Sequence, residues 1–227
     1  MPRGTQFSVL QSRLRSELQR SNSVAVGVDD LPSLKETLNH QYNLLYLSRD
    51  WAHLRKVFSK TLSAGTRYYD PPTGLNTERV EQVAVEWSNH PYDVLMGIGF
   101  DEYAQFDSDS DERSDPVRKW DVRWTGTTQI EVWPLPTAED QTLRLRGIQD
   151  APRLVNDTDP CLLDDNVVVL HAAAELVKDE NEKKIKLALA DKFLAILTSR
   201  QRGRTGHQLG LGRPRPSFPT EITIRTS

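Results

Sequence analysis

Three runs in the middle of the chain decide its fold: RKWDVRW at 118–124, TQIEVWP at 128–134 and QTLRLRGI at 141–148. Each alternates with period two, as a half-buried strand does. Trp120, Val122 and Trp124, then Ile130 and Val132, then Leu143 and Leu145 share one face. Lys119, Asp121, Arg123, Glu131, Arg144 and Arg146 share the other. One apolar face and one charged face predict an antiparallel meander packed on one side.

Upstream, KVFSKTLSAGTRYYDPP at 56–72 reads as a hairpin-like pair around Ala64-Gly65. RVEQVAVEW at 79–87 alternates imperfectly, Asn89-His90-Pro91 reads as a turn, and residues 91–96 continue as a strand. A helical turn is predicted over 100–106, followed by FDSDSDERSD at 106–115, a loop by composition.

The period changes to helical at both ends. Phe7, Leu10, Leu14 and Leu18 form one stripe, with Arg13, Arg15, Glu17 and Arg20 opposite. After a break at 21–30, Asp30 or Ser33 caps a second helix, and Ser33 with Glu36 has capping-box spacing. Leu34, Leu38, Tyr42 and Leu45 line it, and Trp51 closes it. Downstream, Asp164-Asp165-Asn166 offers an N-cap before VVVLHAAAELVKD, and Asp179-Glu180-Asn181 breaks that helix. The last helix carries Ile185, Leu189, Phe193, Ile196 and Leu197 as its apolar stripe. The fold class is α+β. Residues 1–55 and 151–200 supply N- and C-terminal helical hairpins that form one bundle. Residues 56–150 supply a central antiparallel β-sheet or sandwich domain. Residues 201–227 form an extended C-terminal arm.

The arm reads QRGRTGHQLGLGRPRPSFPTEITIRTS. Its glycines and prolines disfavour a helix, and its end, TEITIRT at 220–226, alternates like a strand with Ile222 and Ile224 on one face. A frayed terminus has no need of that pattern. We expect Arg202, Arg204, Arg213 and Arg215 to pair with acidic groups on a partner protein. Leu209, Leu211 and Phe218 would fill apolar pockets there, and 220–226 would add a strand to the partner's sheet. Opposed to this basic arm is the segment 101–115, where Asp101, Glu102, Asp107, Asp109, Asp111, Glu112 and Asp115 face only Arg113. Charge segregated in this way suggests self-association or a charged partner.

Net charge over the 227 residues is -3, so bulk charge does not make the chain a nucleic-acid binder. A narrower alternative is a DNA-binding accessory protein using the arginine-rich arm. Nothing in the sequence assembles a catalytic site. His40, His53, His90, His171 and His207 show no metal-ligand spacing, Cys161 stands alone, and GIGFDE at 97–102 lacks the third glycine of a dinucleotide loop. His171, in an alanine-rich helix, reads as a core or interface residue. The acids at 107–115 alternate like a calcium loop but lack its glycine and terminal glutamate. We expect no catalytic residue, no metal and no cofactor. The first residues carry no apolar leader and no run approaches membrane-spanning length, so a soluble chain from a reducing cytoplasm is expected.

The order of several stretches resembles a known class. WAHLR at 51–55, LSAGTRYYDPP at 62–72 and RVEQVAVEW at 79–87 are followed by YAQF at 103–106 and SDPVRKWDVR at 114–123. Next come IEVWPLP at 130–136 and a long run from QTLRLRGIQDAPRL into NVVVLHAAAELV. Over about residues 5–200 this is similar to the head-to-tail adaptor proteins of tailed bacteriophages, the connector, tail-tubular or gateway class. Pro134-Leu135-Pro136, the turn Pro152-Arg153-Leu154, the acid-rich link at 157–165 and Trp51 carry the likeness. The resemblance implies a homo-oligomeric ring of twelve copies between portal and tail, at the head–tail junction of a virion assembled in the host cytoplasm. It implies contact with the portal and with tail tube, nozzle or tail fibre proteins, DNA passing through the lumen without sequence-specific binding, no membrane and no catalysis. Asp107, Asp109, Asp111, Glu112 and Asp115 would then line the lumen or the rim.

Overall fold

A computed structural model of the chain describes residues 3–20 and 30–202, so the arm beyond Arg202, His207 and most of the 21–30 break lie outside the described residues. Within them the chain is mixed α+β, with five α-helices and several antiparallel strand pairs. It opens with β1 (Thr5–Gln6), α1 (Phe7–Glu17) and α2 (Leu31–Leu47). α1 has no side-chain cap. Its first amides are satisfied from far along the chain instead: the Phe7 N–H donates to Asp159 O (2.9 Å) and the Ser8 N–H to Asp157 O (3.0 Å). The expected stripe of Phe7, Leu10 and Leu14 is fully buried. Arg15, expected on the outer face, is buried with it.

α2 starts at Leu31, two residues before Ser33, so the Ser33–Glu36 box does not form. Glu36 accepts a hydrogen bond from Arg153 instead. Leu34, Leu38, Tyr42 and Leu45 are buried as the periodicity requires, and buried Trp51 closes the helix by donating from Nε1 to Leu45 O (3.0 Å).

The middle of the chain gives β2 (Arg55–Thr61), β3 (Tyr68–Tyr69), β4 (Leu75–Trp87), β5 (His90–Asp93), β6 (Leu95–Met96), α3 (Phe100–Gln105), β7 (Lys119–Trp124), β8 (Thr128–Trp133) and β9 (Thr142–Gln149). They form two four-stranded sheets, ordered β2-β9-β4-β5 and β3-β8-β7-β6. Side chains from both, among them Val83, Val85, Leu143 and Leu145 against Trp120, Ile130 and Val132, meet in one apolar cluster. The strands pair antiparallel except for β6 on β7.

Two expectations fail here for a common reason. The 56–72 segment is not a hairpin: β2 joins β9 and β3 joins β8, in different sheets. The three central runs are not a meander either. β7 and β8 pair, but β9 crosses to lie between β2 and β4. In both places the chain turns a corner between sheets. At the first, Gly65 takes a φ of +67° and its N–H donates to Pro136 O (2.9 Å). At the second, Pro134 and Pro136 cannot extend the β8 ladder. Fully buried Gln141 then ties the sheets together: its carbonyl accepts from Leu62 N–H (2.9 Å) and its Oε1 from Val117 N–H (3.0 Å). The turn after β4 falls one residue earlier than predicted, on Ser88 and Asn89, both left-handed (φ 51° and 60°), as a tight hairpin demands.

β10 (Pro160–Cys161) pairs with β1 and leads to α4 (Asp165–Leu176) and α5 (Glu180–Arg202). Asp164 caps α4, accepting from Asn166 N–H (3.2 Å) as the sequence suggested. α4 packs against α1, α2 and α5. Their side chains build a second cluster with Ile148, Leu154, Cys161 and Leu163. The stripe predicted for α5 is rotated. Ile185 and Leu189 are 68% and 42% exposed, while Ala190 and Leu197 are buried. Lys186 lies inward with its ammonium on Glu17 (3.0 Å). The buried row thus runs through the small Ala190, which a search for large apolar residues passes over.

Leu197→Ala should therefore cost about 2–5 kcal/mol. Leu189→Ala should cost about 0.5 kcal/mol or less. Urea unfolding of the two variants checks the ranking, and equal costs would contradict the rotated face. Gly147→Ala is expected to destabilise as well, because a Cβ there would stand 3.0 Å from Arg79 O and 2.9 Å from Leu75 Cδ1.

Candidate interaction surface: the acidic loop and the Glu131 cluster

β8 is the inner strand beside β7 and β3, and its residue Glu131 lies opposite Asp121 on one side and Tyr68 on the other. The alternation assigned Glu131 to the open charged face. The structure buries it, at 1% exposure. α3 brings Tyr103 over this side of the sheet, and Arg67, from the corner before β3, closes it. The carboxylate accepts from Arg67 Nε (2.7 Å), Arg123 Nε (2.7 Å) and Tyr103 Oη (2.8 Å). The Arg67 guanidinium also stacks over the Tyr103 ring at 4.6 Å. Burial pushes the Glu131 carboxyl up, but the hydrogen bonds from Arg123, Tyr103 and Arg67 outweigh it and hold it below the usual glutamate value. The sequence signal was present: an acid beside another acid in a pair of adjacent strands needs cations close by. Trp124 departs in the opposite sense. Placed on the packed face by alternation, it is 77% exposed at the end of β7.

The acidic loop springs from this cluster. Phe106 packs edge-on against buried Trp133 (5.4 Å between centroids) at its start. At its end Asp115 accepts from Thr137 N–H (3.0 Å), from the Thr137 hydroxyl and from Gln141. Asp115 is thus an anchor. Asp107 also works locally: it accepts from Asp109 N–H (3.0 Å) and from the Ser110 hydroxyl (2.6 Å), the latter chiefly holding its carboxyl below the usual range. A short 3₁₀ turn, Ser108–Ser110, results. Asp111, left-handed at φ 60°, pairs with Arg113 (2.5 Å), which keeps its carboxyl low. Asp109 reaches Arg67 (3.3 Å) while its side chain stays 91% exposed, and Glu112 is exposed with its carboxylate on Asp107 N–H (2.8 Å). The loop is therefore held at both ends and displays carboxylates between them. Among the described residues no three His, Cys, Asp or Glu side chains converge as metal ligands.

Of the arm residues, Arg202 is the last residue of α5. Arg204, Leu209, Leu211, Arg213, Arg215, Phe218, Ile222 and Ile224 lie outside the described residues. Buried Asn39 was not foreseen. Its side chain accepts from Leu154 N–H (2.8 Å) and donates to Leu154 O (2.9 Å), locking α2 to the Pro152-Arg153-Leu154 turn. His53 sits half-buried with Nε2 on Leu162 O (2.8 Å), and burial lowers both it and His171. Cys161 is buried and its thiol is pushed up to about 12, chiefly by burial.

Several large apolar side chains stand on the surface: Leu95, Met96, Phe100 and Trp124 around β6 and β7, and Ile185 and Leu189 on α5. Leu189 borders a groove of about 430 Å³ lined also by Arg13, Val169 and Phe193. No helix among the described residues is long and apolar enough to cross a membrane. Ion-paired polar groups and outward apolar side chains suit a subunit that works by contact. A family model described as SU10 adaptor protein matches residues 5–214. The chain belongs to that family, and it is a phage head-to-tail adaptor protein. Membership implies a structural role at the virion head–tail junction and interaction with portal and tail proteins. Comparison with individually curated proteins gave no match.

Glu131→Ala should cost roughly 2–4 kcal/mol, somewhat under the figure for a fully dry pair because Arg123 keeps water on one side. A depressed folded pKa means that the contribution is complete above the ordinary glutamate value of about 4.3 and is lost as pH falls through the lower folded value. Glu131→Gln should therefore flatten the loss of stability on acidification below about pH 4.3. An unchanged acid profile in urea unfolding would contradict the cluster.

Proposed function

We propose that the chain forms a ring of twelve copies beneath the portal, joins the capsid to the tail and lets DNA pass through its lumen without catalysis. The observation that carries this reading is the family match over residues 5–214, most of the 227-residue chain. In this reading 1–55 and 151–200 form one helical bundle, supported by the cluster that α1, α2 and α4 share with Leu197 of α5. Residues 56–150 form the sheet domain. The exposed apolar side chains on β6, α3 and α5 suit contacts between copies and with tail tube, nozzle or tail fibre proteins. Asp107, Asp109, Asp111 and Glu112 stand at the lumen or the rim, where negative charge keeps DNA from sticking, with Asp115 as their anchor.

The arm that follows α5 docks on the portal. Arg202 at the end of α5 and Arg204, Arg213 and Arg215 beyond it pair with acidic groups, Leu209, Leu211 and Phe218 fill apolar pockets, and Ile222 and Ile224 mark a terminal strand that adds to the portal's sheet. Ordering such a segment costs roughly 1–2 kcal/mol per residue fixed, so firm attachment needs many arms held by one ring.

Deleting 203–227, beyond the end of α5, should leave a folded subunit that no longer joins portal-bearing heads. Normal yields of infectious particles from the truncated chain would contradict the docking role. A chain that stays monomeric and binds DNA with a steep salt dependence would favour the accessory DNA-binding reading. Replacing Asp109, Asp111 and Glu112 by serine should leave assembly intact and slow genome ejection, and ejection at the normal rate would remove the lumen placement.

A further inference from the structure

Among the described residues the two four-stranded sheets have four edge strands. β3 and β6 are two residues long, and β5 is four residues long and contains Pro91. These edges are blunted in the usual ways. β2 has only the charges of Arg55, Lys56 and Lys60 as such a guard, and it runs seven residues, RKVFSKT, with no proline or glycine. Its register against β9 is continuous from Arg55↔Ile148 to Thr61↔Thr142. Just beyond the two ends of that ladder, Gln149 N–H donates to Leu54 O (2.7 Å) and Leu62 N–H donates to Gln141 O (2.9 Å). Bonded and non-bonded positions alternate along an antiparallel pair. Leu54, Lys56, Phe58, Lys60 and Leu62 therefore bond to β9, and the N–H and C=O groups of Arg55, Val57, Ser59 and Thr61 point away from it. Among the described residues no backbone group outside the strand pair bonds to these four. Val57, between them, is 63% exposed. A free edge of this length is a template for an added strand.

We propose that this edge accepts residues 220–226, TEITIRT, from a neighbouring copy of the chain. The inference rests on reading the tail as a docking arm, and it moves the arm's last strand from the portal's sheet to that of a neighbouring subunit. Both segments are seven residues long, and the donor alternates with Ile222 and Ile224 on one face. That face extends the inner row of β2, where Phe58 packs against the sandwich cluster. The chain also leaves α5 near the right place. The Thr198 hydroxyl accepts from Arg49 Nη1 (2.6 Å), on the segment that leads through Trp51 into β2. A donor closing on its own β2 would need only a short connection from there. The intervening residues 203–219 can instead span about 55–60 Å when extended, enough to reach the next subunit. One strand given and one received by every subunit is a heterologous contact that closes into a ring.

The test uses assembled full-length chain and a chain ending at residue 219. In the full-length assembly the amides of Val57, Ser59 and Thr61 should exchange about tenfold or more slowly than in the truncated chain, with Leu143 and Leu145 unchanged. In parallel, chains carrying only Val57→Cys are mixed with chains carrying only Thr223→Cys and treated with a short bismaleimide. Cys161, fully buried, does not compete. A cross-linked pair of unlike chains is the expected product. Cross-linking confined to a single chain carrying both substitutions, or exchange at β2 unchanged by truncation, would overturn the proposal. Loss of portal joining with unchanged β2 exchange would leave the arm's docking role standing and remove this one. Loss of β2 protection with normal portal joining would do the reverse.

Discussion

The structure depends on one strand shared by two cores. β9 is flanked by β2 and β4, and its Leu143 and Leu145 are fully buried in the sandwich cluster. Three residues later Ile148 belongs to the helical cluster. Between them Gly147 lies against Arg79 O, Leu75 and Val80, at the bulge where Glu81 is the extra residue of β4. Glu81 uses that position to accept from Arg55 Nε (2.7 Å) and to pair with Arg146 (3.4 Å), so the bulge, both flanking strands and β9 are pinned at one place. Packed interiors transmit displacement rather than absorb it. Movement of the helices relative to the sandwich must therefore disturb β9.

β1, α1 and the link between β9 and α4 are fixed to the same body by polar stitching. β1 pairs with β10, buried Asp165 accepts from Arg13 and from Thr5 (3.3 Å), and Asn39 holds the Leu154 backbone from both sides. Breaking such buried pairs leaves unpaired groups and costs more than any single contact contributes. The helices close on one another. The sandwich shows Leu95, Met96, Phe100 and Trp124, and the acidic loop stands out beside them on anchored ends.

Much of this was legible in the sequence. Period-two alternation located β7, β8 and β9, helical spacing located α1 and α2, and the cap at Asp164 marked the start of α4. What it missed depends on distant neighbours. Alternation shows which residues share a side of a strand, but not that α3 returns over Glu131 or that Trp124 runs past the end of the packed sheet. Turn chemistry at Gly65 and at Pro134 marked a change of direction but not a change of sheet. On α5, counting large apolar residues overlooked Ala190 and Lys186. Of the candidate site, the acidic loop was readable as an exposed segment. Asp107 and Asp115 have local anchoring roles that only the hydrogen-bond partners reveal.

The central claim is that this body is a ring-forming adaptor. Mass photometry of the purified full-length chain, alone and mixed with its portal, tests it most directly. The account predicts a shift of the portal particle by the mass of a ring of copies, about twelve if the proposed order holds. A chain that remains a monomer or dimer and leaves the portal mass unchanged would contradict it.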